Sequence, residues 1–159
     1  MALAWAGRPT HPNNANRSLD LAGLAALAVP GVSFVSIQKG SAAAQAKTPP
    51  AGMSLTALSD EIEDFDDTAA ILCIVDLLIS VDSSPTHLAG ALGRPAWAML
   101  PFVPDWRWLM NRNDTPWYPG HRLFRQPRRG DWAAVVTAMA AVLAASHQTG
   151  VSSDIRGAF

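Results

Sequence analysis

The amino-acid sequence predicts an α/β domain, a mostly parallel sheet flanked by helices, and three observations predict it. Short apolar runs alternate with longer segments of helical spacing, the order expected of repeated strand–helix–strand units. The run Leu77-Leu78-Ile79-Ser80-Val81 shows no polar alternation, as a strand does when both faces of its sheet are covered. Finally, polar residues suited to chemistry follow directly on apolar runs, which in parallel sheets is the edge where ligands sit.

Leu3 to Ala6 reads as a buried strand ending at Gly7, followed by a polar, proline-bearing loop from Arg8 to Arg17. Ser18 or Asp20 is placed to cap a helix whose apolar positions Leu19, Leu21, Leu24, Ala25, Leu27 and Ala28 have helical spacing. Pro30-Gly31 stops it. Val32 to Ile37, β-branched and aromatic, is the clearest strand. Gly40 to Thr56 is rich in Ala, Gly and Pro, and residues 41–59 are expected to form a weakly ordered loop.

Ile62 to Phe65 is expected to be a brief strand, with Asp66 or Asp67 capping a helix from Thr68 to Val75. After the strand at Leu77 to Val81, Ser84 caps a new helix with Pro85 in its first turn, where the missing N–H costs nothing. That helix runs to Leu92 and ends at Gly93. Ala96 to Leu100 and Arg122 to Phe124 are further strands, and Asp131 caps a last helix from Trp132 to Ala145. Residues 1–146 thus form one domain, and residues 147–159 a polar tail.

Composition narrows the function. With 159 residues, 49% hydrophobic and 16% charged, the chain is globular and long enough for a proper core. A net charge of −1 gives no electrostatic basis for broad nucleic-acid binding. The single cysteine, Cys73, precludes an internal disulfide framework and, within an apolar run, is expected to be buried. No apolar stretch reaches the roughly 18 residues needed to span a bilayer, and the start lacks a signal peptide's basic leader, so a cytoplasmic protein is expected.

The turn from Asp82 to His87 is the main chemical candidate. A helix start there leaves N–H groups without intrahelical acceptors and adds positive dipole potential, so a phosphate can accept from amides and from the hydroxyls of Ser83, Ser84 and Thr86. His87 can add a donor. The same spacing fits an ordinary capped helix with nothing bound. Gln38-Lys39 and Arg17 also follow strands and suit a diphosphate, though such residues are often simply solvated. Trp97, Trp106, Trp108 and Trp117 crowd one region, as packing mass or as platforms for bases and sugars. The acidic cluster Asp60-Glu61, Glu63-Asp64 and Asp66-Asp67 lacks a neighbouring His or Cys, so no metal site is expected. No dinucleotide fingerprint, P-loop or nucleophile elbow occurs; the residues indicate neither cofactor nor catalytic base.

The segment from Leu77 through Asp82-Ser83-Ser84-Pro85-Thr86-His87 to Gly93-Arg94-Pro95 resembles glycosyltransferase family 9-like domains, which include heptosyltransferases. Together with Leu100 to Trp108, Trp117 to Pro127, Trp5 to Ser18 and Val35 to Lys39, it is similar to the C-terminal portion of bacterial tetratricopeptide-repeat proteins that carry such a domain. The resemblance implies a GT-B architecture, two Rossmann-like halves of which this chain is the C-terminal, nucleotide-sugar-binding one. Asp82, Ser83, Ser84 and His87 would line the sugar-diphosphate site, Arg17 would face the phosphates, and Gln38 and Lys39 would lie near the nucleotide. The likeness also implies that the acceptor half, with the base, and the repeats lie outside this chain, so that it is incomplete as a catalyst alone and pairs with that half or with another copy. Ser83 stands where the family has threonine, keeping the hydroxyl; Pro85 replaces a small aliphatic residue and removes one N–H. The alternatives are a non-catalytic interaction module that keeps the fold, or a phosphosugar-binding protein of another class.

Overall fold

A computed structural model describes residues 1–148. Six strands form one all-parallel sheet: β1 (Ala2–Ala4), β2 (Ser33–Ser36), β3 (Ser54–Ala57), β4 (Leu78–Val81), β5 (Ala96–Leu100) and β6 (His121–Arg125), in the order β3-β2-β1-β4-β5-β6. The helices are α1 (Asn14–Arg17), α2 (Phe65–Ile74), α3 (Ser84–Ala91) and α4 (Trp132–Gln148), with 3-10 segments at Leu21–Leu27, Ser41–Lys47 and Trp106–Trp108. The chain works outward from β1 to β3, then returns to lay β4 against the other side of β1. Strand order therefore reverses between β1 and β4, and the loops leaving these two strands diverge and open a crevice at their carboxyl ends.

Successive strand residues point to opposite faces, and both faces are covered. Leu3, Phe34, Ile79, Val81, Trp97 and Met99 pack with Leu21, Leu24 and Leu27 and with Val135, Val136, Met139 and Leu143 of α4. Ala2, Ala4, Leu78 and Ala96 face the other way, against Leu72 of α2 and Ala89 of α3. That is why the central strands read as unbroken apolar runs. Leu21, Leu24 and Leu27 are at most 1% exposed, and burial at that level stabilises by roughly 1.5–3 kcal/mol per side chain.

Several local expectations need correcting. β1 stops at Ala4, because the N–H groups of Trp5 and Ala6 turn to Gln38 Oε1, each at 2.9 Å. The segment after Asp20 is 3-10 and not α-helical; its buried leucines fall every third residue, matching three residues per turn. Residues 41–59 are not a structureless loop but hold a 3-10 helix and the edge strand β3. β3 pairs through its backbone while its side chains stay largely exposed, so it carries little apolar signal. Ile62 to Phe65 is not a strand: Ile62 is buried in a loop, and Asp64 caps α2 by accepting from the N–H groups of Asp66 and Asp67 at 2.8 and 3.2 Å. Cys73 is exposed, since α2 turns the neighbouring Leu72 to the core instead. The N-cap of α3 is Ser83, one residue earlier than expected, with Pro85 in the first turn and Gly93 past the end at φ 64°. α4 continues beyond Ala145 to Gln148; the rest of the expected tail lies outside the described residues.

Candidate functional site

The crevice at the β1/β4 reversal is a cleft of about 870 Å³ walled by four loops at the carboxyl edge of the sheet. The loop after β1 brings Arg8, His11 and Arg17; the start of α3 brings Asp82, Ser83, Ser84 and His87. The loop after β5 brings Phe102, Val103, Asp105 and Arg107, and the turn after β6 brings Gln126 and Arg129. Four arginines face two carboxylates, so the cleft favours an anion. Arg8 and Arg129 have no ion-pair partner among the described residues.

Arg17 reaches across the reversal point and donates from Nη1 to the main-chain oxygen of Asp82 at 2.8 Å. It passes so close to Gly7 that a Cβ there would lie 2.8 Å from its Nη2, so a larger residue at position 7 would displace the guanidinium. The side chain of Asp82 is nearly buried, and His87 Nε2 lies 3.5 Å from its Oδ1. Burial opposes ionisation of Asp82, but hydrogen bonding from His87 and the pull of the Trp108 indole, then the charges of His87 and Arg17, outweigh it and hold the carboxyl below its usual range. The Trp108 N–H meets no acceptor at hydrogen-bond geometry, so its action on Asp82 is a longer-range electrostatic one. His87 is stacked on Trp108, with ring centroids 5.3 Å apart.

Ser84 is exposed at the first turn of α3, and Ser83 sits half-buried beside it with its hydroxyl 3.2 Å from that of Ser80. Thr86 is fully buried and donates to the main-chain oxygen of Val81 at 2.8 Å, which ties α3 to β4. A second hollow of about 530 Å³ lies on the other side of the Ser83–Pro85 turn, toward β2 and β3. Ala4, Ala6, Ile37, Ile62 and Phe65 give it a mainly apolar lining, and Arg8, Ser83 and Ser84 border both hollows.

No family model matches the chain. Over 127 residues, 74% of this chain, it is 34% identical to Protein FlbA of Caulobacter vibrioides, of which it spans 20%. Over 93% of its length it superposes on 45% of the crystal structure of the glycosyl transferase family 9 from Veillonella parvula, with a TM-score of 0.61 and 13% identity. The fold is glycosyltransferase family 9-like. In this family 9-like fold, Arg17, Asp82, Ser83, Ser84 and His87 line one cleft.

Three expected residues stand apart from that group. Gln38 is buried and spends its amide on the backbone: Oε1 accepts from Trp5 and Ala6, and Nε2 donates to the oxygens of Ala6 and Lys39 at 3.0 and 2.9 Å. Lys39 lines the apolar hollow but donates from Nζ to the main-chain oxygens of Ser59 and Ile62, at 2.6 and 2.7 Å. Thr86, buried as described, reaches neither hollow.

Arg8, His11 and Arg129 went unrecognised. Each follows a strand end, the position that drew attention to Arg17, yet a single cation in a loop looks the same whether it meets ligand or water. Of the tryptophan-rich stretch, Trp108 is buried and anchors its loop, while Trp106 and Trp117 are 67% and 55% exposed and meet edge to face at the surface.

Proposed function

We propose that the chain is the donor-binding half of a glycosyltransferase and holds a nucleoside-diphosphate sugar. The observation that carries this reading is the surplus of arginines around the start of α3 at the strand-order reversal. Arg8, Arg17, Arg107 and Arg129 supply the charge a metal would otherwise bring, and α3 adds its dipole and the N–H of Ser84. The diphosphate would lie in this cleft and the base in the apolar hollow beyond Ser83–Pro85. A departing diphosphate would be stabilised by the same donors, which are fixed before it develops charge.

Neither cleft carboxylate is free to act as base. Asp82 is engaged by His87, and Asp105 accepts from the Arg107 N–H at 3.0 Å and pairs with its guanidinium at 3.3 Å. On this reading the base and acceptor site belong to polypeptide beyond this chain, as in heptosyltransferase-type GT-B enzymes. Its 20% share of the FlbA relative and 45% share of the family 9 structure support that division. Isothermal titration with ADP, GDP and UDP tests the proposal. Saturable binding to at least one is expected, lost in Asp82→Ala and His87→Ala; no binding of any at millimolar ligand refutes it.

A second reading, an interaction module that has kept the fold and lost the ligand, is favoured by one observation. Phe102, Val103, Trp106, Leu109, Met110 and Trp117 are exposed apolar residues of the loop between β5 and β6, and Trp106 and Trp117 meet edge to face. It predicts concentration-dependent self-association in sedimentation, reduced in a Trp106→Ser, Trp117→Ser double variant, together with an absence of nucleotide binding.

A further inference from the structure

Tyr118, in the loop between β5 and β6, does not line the cleft, yet its hydroxyl lies 3.0 Å from Nδ1 of His87, which does. The other ring nitrogen, Nε2, faces Asp82 Oδ1 at 3.5 Å. An ionised carboxylate only accepts, which favours the proton on Nε2, and in that tautomer Nδ1 accepts from the Tyr118 hydroxyl. Stacking on Trp108, with an interplanar angle of 23°, fixes the plane of the imidazole. Three neighbours thus set the ring's position, its plane and its tautomer.

The placement of Tyr118 depends on Gly90. The tyrosine ring lies against α3 where a Cβ on residue 90 would sit 2.2 Å from Tyr118 Cδ1 and 2.4 Å from Cγ, nearer than real Cβ contacts occur. Gly90 lies in the last turn of α3, one residue before its end. The missing side chain is what admits the tyrosine. The ring also packs on His121, with centroids 4.9 Å apart, and the Tyr118 main-chain oxygen accepts from the His121 N–H at 2.9 Å.

We propose that Tyr118 is a positioning residue, seated by Gly90, that holds His87 in the Nε2–H tautomer and so keeps an N–H donor on the cleft side of the ring. The effect on a bound anion rests on the donor-site reading above; the effect on the tautomer does not. In tyrosine's absence only the 3.5 Å contact with Asp82 favours the proton on Nε2, so the share of neutral ring protonated on Nδ1 rises and the cleft meets a lone pair more often.

The experiment is 15N NMR of the histidine side chains in the ligand-free protein, with His87 assigned by its loss in His87→Gln. Tyr118→Phe removes one oxygen and keeps the ring; Gly90→Ala moves the ring and keeps the hydroxyl. Both are expected to raise the Nδ1–H fraction of His87. Affinity for the nucleoside diphosphate that binds wild type best should fall about fivefold, the value of one lost hydrogen bond. His87 remaining in the Nε2–H form in both folded variants overturns the proposal. A tautomer shift in a wild-type background that binds no nucleotide supports the positioning role and refutes the donor reading instead.

Discussion

Removal of the Arg17 side chain probes the cleft most directly. In Arg17→Ala two effects separate. Loss of the 2.8 Å bond from Nη1 to the Asp82 main-chain oxygen costs about 1 kcal/mol of folding stability. A charge-assisted hydrogen bond to a diphosphate contributes about 1.5–3 kcal/mol, so nucleotide affinity should fall roughly 10- to 150-fold. Chemical denaturation reads the first, and calorimetric titration at fixed ionic strength the second. Arg128 makes a suitable control: its side chain is 84% exposed, it pairs with Asp131 and it does not line the cleft, so Arg128→Ala should bind as wild type does. Raising the salt should weaken wild-type binding more steeply than Arg17→Ala binding, since one fewer cation then meets the anion. If wild type binds and Arg17→Ala binds equally well, the diphosphate does not lie in this cleft.

Burial lowers the His121 pKa against the opposing hydrogen bond to the Thr86 oxygen, with His87 also lowering it. The unfolded chain then takes up the proton first, so stability from this group is full above about pH 6.5 and declines as pH falls toward the folded pKa. Melting temperatures across that range should show the decline in wild type and a flatter profile in His121→Gln, which keeps a donor at the Nε2 position. Trp108→Ala, at a fully buried ring, should cost about 3–5 kcal/mol in urea denaturation. Trp106→Ala, 67% exposed, should stay within about 0.5 kcal/mol. Gly93→Ala meets no atom within 4 Å of the new Cβ, so its loss of about 1 kcal/mol should reflect the positive φ alone.

The central strands were legible because both faces of β4 and β5 are buried, which leaves Leu78 to Val81 and Ala96 to Leu100 nowhere to place a charge. β3 was not: an edge strand with exposed side chains is held by main-chain bonds, which have no residue signature. The segment after Asp20 was misjudged because leucines three apart satisfy α and 3-10 spacing alike. In the site, the Asp82 to His87 turn was readable as a helix start after a buried strand. The tasks of Gln38 and Lys39 were not, since a side chain that bonds to backbone and one that bonds to ligand are the same residue at the same strand end.

Gln38 has a consequence for how this molecule can diverge. Three of its four side-chain bonds join the chain after β1 to the end of β2, and the ligand need never touch it. Arg8, Arg107 and Arg129 stand on the rim that this frame supports, exposed enough to be exchanged without disturbing the core. Framework and selectivity therefore sit on different residues. On the proposed donor-site reading, a lineage can trade one sugar nucleotide for another by rewriting the rim, while a change at position 38 alters the shape of the whole mouth at once.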